Sequence, residues 1–153
     1  MMDELTLLAL VHLEESEQVR EYLCSHRESL ETLDLNTQDE AGRTLLHYFC
    51  TDLETVRVLL EAGANPNIRD TEKGETPLHI AVRKNEQRCV DLLLAAGANP
   101  LILNAAQETS LFLAASQRNV PLLVLMTLRL DLEDPAVKKA FQVEARRFLK
   151  SDL

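Results

Sequence analysis

Residues 74–100 read GETPLHIAVRKNEQRCVDLLLAAGANP, and a divergent copy, GRTLLHYFCTDLETVRVLLEAGANP, occupies residues 42–66. Gly42, Thr44 and His47 precede Gly74, Thr76 and His79 by one common interval, and Gly63 precedes Gly97 by a slightly longer one. A weaker third copy, ETSLFLAASQRNVPLLVLMTL, sets Thr109 and Ala114 at a matching interval beyond Thr76 and Ala81. Self-similarity at a period of about 33 residues marks a solenoid, in which each unit is too small to bury its own apolar face and stacks on its neighbours.

The order Thr76-Pro77-Leu78-His79-x-Ala81, a polar turn, Val90-x-Leu92-Leu93-Leu94 and Gly97-Ala98-Asn99-Pro100 resembles the ankyrin repeat. The resemblance is tight over residues 39–103 and looser over about 3–128. It implies an all-α solenoid of helix-turn-helix units with short β-hairpin-like connections, forming one domain over residues 1–153. Repeats are expected near 3–35, 39–67, 70–101 and 104–133, followed by a C-terminal capping helix at 135–150.

Composition agrees with thin stacked layers. The chain is 46% hydrophobic but only 4% aromatic, with no Trp, so Leu, Ala and Val must build the core. The net charge of −9 is uneven: residues 1–40 hold 11 acidic and 2 basic side chains, whereas residues 101–153 hold 6 and 7. The stack is therefore electrically polar from end to end, although end repeats also need charge simply to stay solvated. Cys24, Cys50 and Cys89 have no metal-binding spacing, and three thiols cannot all pair. That usage fits a reducing compartment, cytoplasmic or nuclear. Asp3 and Glu4 open the chain where a signal peptide would carry Lys or Arg, and the apolar run Leu122–Leu128 is too short to cross a bilayer.

Departures from the repeat pattern carry structural expectations. The first repeat lacks the signature; Asp3 and Ser16 are its candidate helix caps, and the long stretch 25–38 has room for an extra helical turn. In the second, Leu45 stands where Pro is usual, Phe49 where Ala is usual, and the turn Thr51-Asp52 is one residue short. The third has an extra residue in its hairpin tip. In the fourth, Gln107, Ser110 and Phe112 replace Gly, Pro and His. Pro135 after Asp134 opens a last helix whose apolar stripe is Val137, Phe141, Ala145 and Phe148–Leu149. The stripe suits closure of the open stack end; a partner-binding or dimerising helix is the alternative.

Catalysis finds no support. His47 and His79 each follow a Thr by three positions, and in the ankyrin family this pair is structural. No Cys, Ser or carboxylate recurs at a spacing that would form a dyad with either. No His or Cys pair has ligand spacing, so neither metal nor cofactor is expected. Gly63 and Gly97 end helices, whereas a phosphate cradle needs glycines where a helix begins. The acidic total works against nucleic acid.

What remains is surface. The resemblance implies recognition through hairpin tips and exposed inner-helix positions lining a concave groove. Here these are Glu40, Ala41, Arg43, Thr51 and Asp52, then Arg69, Glu72, Lys73, Glu75, Arg83 and Lys84, then Ala105, Ala106, Glu108, Ser116 and Gln117. The chain is thus expected to be a monomeric, non-catalytic protein-binding module: adaptor, inhibitor or effector. Five cations among these positions suggest a partner with an acidic or mixed segment, and reversing Arg83 and Lys84 is expected to leave stability nearly unchanged. The alternative is a scaffold that is itself a substrate, because Asn67, eight positions after Leu59, resembles the Asn modified by asparaginyl hydroxylases.

Overall fold

A computed structural model describes residues 2–13 and 15–151, with side chains described as far as Arg147. Four helix pairs stack in chain order. They are α1 (Glu4–His12) with α2 (Ser16–Ser25), α3 (Leu45–Phe49) with α4 (Leu53–Glu61), α5 (Pro77–Arg83) with α6 (Gln87–Ala95), and α7 (Ser110–Ser116) with α8 (Val120–Leu128). A final helix, α9 (Pro135–Ser151), follows. Inner helices α1, α3, α5 and α7 contact one another in sequence, as do outer helices α2, α4, α6 and α8. The long connection after α2 holds a 3-10 helix at Arg27–Thr32, in the place the sequence left for one.

The core repeats with the sequence. Leu46, Leu78 and Leu111 are buried on the inner helices, and Leu59, Leu93 and Met126 are completely buried on the outer ones. These columns bridge one layer to the next, so no layer has a core of its own. Phe49, large for its site, is accommodated at 6% exposure, and its helix α3 is shorter than α5 or α7. Asp3 caps α1, its carboxylate accepting from the Thr6 amide at 2.8 Å. Ser16 does not cap α2: it is the first helical residue, with Glu15 in the cap position and no side-chain cap.

Among the described residues no strand forms, yet the connections close as hairpin turns. The Asp39 amide donates to the Arg43 carbonyl at 3.0 Å, and Asp70 to Glu75 and Asn104 to Glu108 at 2.9 Å. Successive tips are bonded together, Thr71 N–H to Ala41 C=O at 2.9 Å and Ala105 N–H to Lys73 C=O at 2.8 Å. This contact explains two glycines. A Cβ on Gly42 would lie 2.7 Å from the Thr71 nitrogen, and one on Gly74 3.0 Å from that of Ala105. Both also have positive φ, 71° and 63°. Gln107 adopts the same φ of 60° without clash because no further tip follows it.

Helix α9 ends the stack in a way the sequence only partly foretold. Asp134 caps it, accepting from the Ala136 amide at 2.7 Å, and Val137 is buried with Phe141 half-buried. Ala145, placed in the apolar stripe by spacing, is exposed; the buried neighbour is Glu144. Phe148 and Leu149 lie outside the described side chains. Glu144 accepts from the Thr109 hydroxyl at 2.8 Å, and the Arg147 guanidinium lies over the Phe112 ring while donating to the Gln107 carbonyl. The cap therefore supplies polar partners to a repeat that has lost its own histidine.

Backbone strain points to a stabilising change. Arg118 sits at φ 53° in the turn where the third repeat uses Asn85 at φ 60°. Arg118→Gly should raise stability by roughly 0.5–1 kcal/mol, because glycine adopts left-handed φ without a Cβ penalty. Gly42→Ala should lower it by more than that, through strain and collision with the next tip. Urea denaturation of the two variants measures both.

Candidate protein-binding surface

The histidines are structural. The Thr44 amide donates to His47 Nδ1 at 3.1 Å, so that nitrogen must be the acceptor, and the ring proton sits on Nε2. Nε2–H then donates to the Glu75 carbonyl of the following repeat at 3.1 Å. The Thr44 hydroxyl bonds Nδ1 at 2.9 Å. His79 repeats the arrangement with Thr76 and the Glu108 carbonyl, at 3.2, 2.8 and 3.3 Å. Burial holds both imidazoles below the usual histidine range, His47 at about 4. Both ring nitrogens of each histidine are taken up in these bonds. Burial likewise pushes the Cys50 thiol up to about 12 and Cys89 to about 11, so both stay protonated. Among the described residues no cluster of metal-ligating side chains occurs.

Of the sequence-predicted surface, Glu72, Lys73, Arg83, Ala105, Ala106 and Glu108 do gather around one shallow depression of about 290 Å³. Glu75 belongs to its wall but is not exposed. It is 3% accessible, and both its carboxylate oxygens take Arg83, one at 2.8 Å. Arg43 pairs with Glu72 at 2.7 Å, with the buried Asp70 carboxylate also nearby at 3.9 Å. Arg69 donates to the Gly74 carbonyl at 3.1 Å. Lys73 and Lys84 alone of the five cations are exposed without an ion pair or side-chain bond among the described residues. Two of the five charges are thus paired within the chain, and a third is bonded to a main-chain carbonyl.

Other expected positions lie elsewhere. Thr51 and Asp52 line a separate depression with Ser16, Glu17, Arg20, Tyr48 and Phe49. Gln117 ties two repeats, donating to the Arg83 carbonyl at 3.2 Å, and Ser116 bonds its own helix. Asn67 is engaged at both ends of its amide: Nδ2 donates to the Gly97 carbonyl at 3.0 Å and Oδ1 accepts from the Asn99 amide at 2.7 Å. A modifying enzyme would have to open that turn first.

A larger concavity, of whose lining only Glu40, Ala41 and Glu72 were expected from the sequence, lies beside α1. Leu5, Leu8, Ala9 and Leu13 of the first inner helix face Asp39, Glu40 and Ala41 of one tip and Thr71 and Glu72 of the next, around about 790 Å³. Leu5 and Leu13 are 67% and 69% exposed, while Leu8 is buried. At one edge the Asp39 carboxylate accepts from His12 Nε2 at 2.9 Å, from the Tyr48 hydroxyl, and from the Ala41 and Arg43 amides at 2.9 and 2.8 Å. Burial pushes this carboxyl up, but the bonds from Tyr48, Arg43, His12 and Ala41 outweigh it and hold it below the usual range. The sequence signal was available: Leu5, Ala9 and Leu13 recur at every fourth position on one face of α1.

Stacked helix pairs with tips bonded one to the next define a helical repeat scaffold. A family model for ankyrin repeats (3 copies) matches residues 7–104 and 52–134, and the chain belongs to the ankyrin-repeat family. It is 45% identical over 74 residues to a putative ankyrin repeat protein of Acanthamoeba polyphaga mimivirus, covering 46% of this chain and 18% of that one. It is 43% identical over 71 residues to the human 2-5A-dependent ribonuclease, covering 46% and 10%. Human ankyrin repeat and SOCS box protein 16 matches at 42% over 79 residues, covering 50% and 17%. The chain thus spans less than a fifth of each of these three relatives.

The buried ion pair and the buried imidazoles have measurable consequences. Arg83→Glu should cost about 2 kcal/mol, because it strands the buried Glu75 carboxylate beside a like charge, whereas Lys84→Glu should stay within about 0.5 kcal/mol; paired denaturation curves test the contrast. Because the folded histidines resist protonation, the unfolded chain binds more protons between pH 6.5 and about 4. Stability should therefore fall as pH drops through that window, with a shallower slope in His47→Gln and His79→Gln, read as Tm against pH.

Proposed function

We propose that this chain is a non-catalytic protein-binding module, acting in the cytoplasm or nucleus, that takes its partner on the concave face. Ankyrin repeats are general protein-interaction modules, and one human relative is named for such repeats together with a SOCS box. The observation that carries the reading is the cleft under α1, where exposed leucines meet a rim containing Glu40 and Glu72. Leucines at 67% and 69% exposure contribute binding energy when covered, on the order of 1–2 kcal/mol each. Acidic residues around them, in a segment that carries 11 acidic and 2 basic side chains, favour a partner with apolar anchors flanked by Lys or Arg. This replaces the acidic partner suggested by the sequence, because Arg43, Arg69 and Arg83 are already engaged within the chain.

The reading extends to Lys73 and the shallow depression beside Arg83 and Glu108, which continue the same row of tips. No helix among the described residues is long and apolar enough to cross a membrane.

Affinity capture with tagged protein, compared across variants, provides the test. Leu5→Glu and Leu13→Glu should lose the partners bound by the unaltered chain while melting within a few degrees of it. Arg57→Glu, on the opposite outer helix, should retain them. Equal recovery on all three would overturn the concave-face assignment.

A further inference from the structure

The outer helices can be compared position by position. Glu54, Arg57 and Glu61 of α4 correspond to Arg88, Asp91 and Ala95 of α6 and to Pro121, Val124 and Leu128 of α8, at a constant offset within each step. The solvent-facing stripe that is charged on α4 becomes wholly apolar on α8. Val120, Val124 and Leu128 are 64%, 50% and 78% exposed, and VPLLVLMTL contains no charged residue. A helix that is apolar on all sides is normally covered on all sides.

We propose that this stripe is a self-association surface, covered by α8 of a second copy packed antiparallel about a two-fold axis near Val124. Charge selects this occupant and this orientation. A parallel pairing would set Arg118 against Arg118. The antiparallel one sets Val120 against Leu128 and brings Arg118 within reach of the other copy's Asp131, twice by symmetry. Neither Arg118 nor Asp131 is in an ion pair with another described residue, and both are exposed. The global charge agrees: residues 101–153, with 7 basic and 6 acidic side chains, meet each other. The strongly acidic first repeats sit at the far ends, where their repulsion is weakest. Side chains of modest size at 120, 121 and 124 permit close helix approach.

The contact is independent of the concave cleft, which lies on α1 at the other end of the stack. A dimer joined through α8 presents two clefts, so a partner with two matching segments would gain by multivalency. One short helix from each copy makes a small interface, placing self-dissociation on the order of 10–100 μM.

Sedimentation equilibrium of the full chain from about 1 to about 300 μM brackets that range. The expected result is a monomer–dimer transition, abolished by Val124→Glu, which sets two carboxylates on the axis. Arg118→Glu should weaken the dimer about tenfold, by placing two carboxylates together at each end of the contact, and adding Asp131→Arg should restore it. Thermal melts at low concentration establish that each variant folds. A monomer throughout the range overturns the proposal. So does a dimer that survives Val124→Glu, or one lost instead on Leu5→Glu, which would place self-association in the concave cleft.

Discussion

The stack depends on an imidazole that is bonded in two directions at once. His47 closes the first turn of its own helix through Thr44 and reaches across to a carbonyl of the next repeat; His79 does the same one layer on. Each bond serves a buried group that water cannot reach, so losing it would cost about 1–3 kcal/mol. Exposed ion pairs such as Arg27–Glu54 contribute less than about 1 kcal/mol. The histidine links therefore set the register between layers, and the surface charges adjust it. The same links require neutral imidazole, which makes the stack sensitive to acid.

A solenoid joined this way has the problem of its last layer. The fourth repeat keeps the threonine but has Phe112 where the histidine would be. Glu144, arriving from α9, accepts from the orphaned Thr109 hydroxyl, and Arg147 takes the Gln107 carbonyl. Polar capping at the inner-helix side lets α7 end against α9. The outer helix α8 receives no such cover on its solvent face from the described residues, and its valines and Leu128 stay open. The asymmetry between a sealed inner row and an open outer one is what makes α8 a surface of interest.

At the acidic end the arrangement is reversed. Here the inner helix α1 leaves Leu5 and Leu13 open toward the tips that begin at Asp39. The arginines that looked available in the middle of the groove are held by Glu72, Glu75 and the Gly74 carbonyl. The proposed recognition surface is therefore apolar area framed by carboxylates rather than a basic patch.

The period, the helix pairs and the structural role of both histidines are legible in the chain before it folds. All of these rest on interactions within one repeat or on burial that recurs from each repeat to the next, and both leave a periodic trace. Which charges are free is settled only by folding. Arg83 and Glu75 lie on either side of a helix cap, and the turn of the chain into α5 brings the guanidinium onto a buried carboxylate. Thr109 and Glu144 come from different elements and belong to no repeating pattern, so spacing favoured Ala145 for the buried face. The cleft under α1 depends on how far two tips stand from one helix, a distance set by tip-to-tip backbone bonds. Periodicity records what each layer does for itself; the meeting of side chains from different layers is fixed only when the layers are stacked.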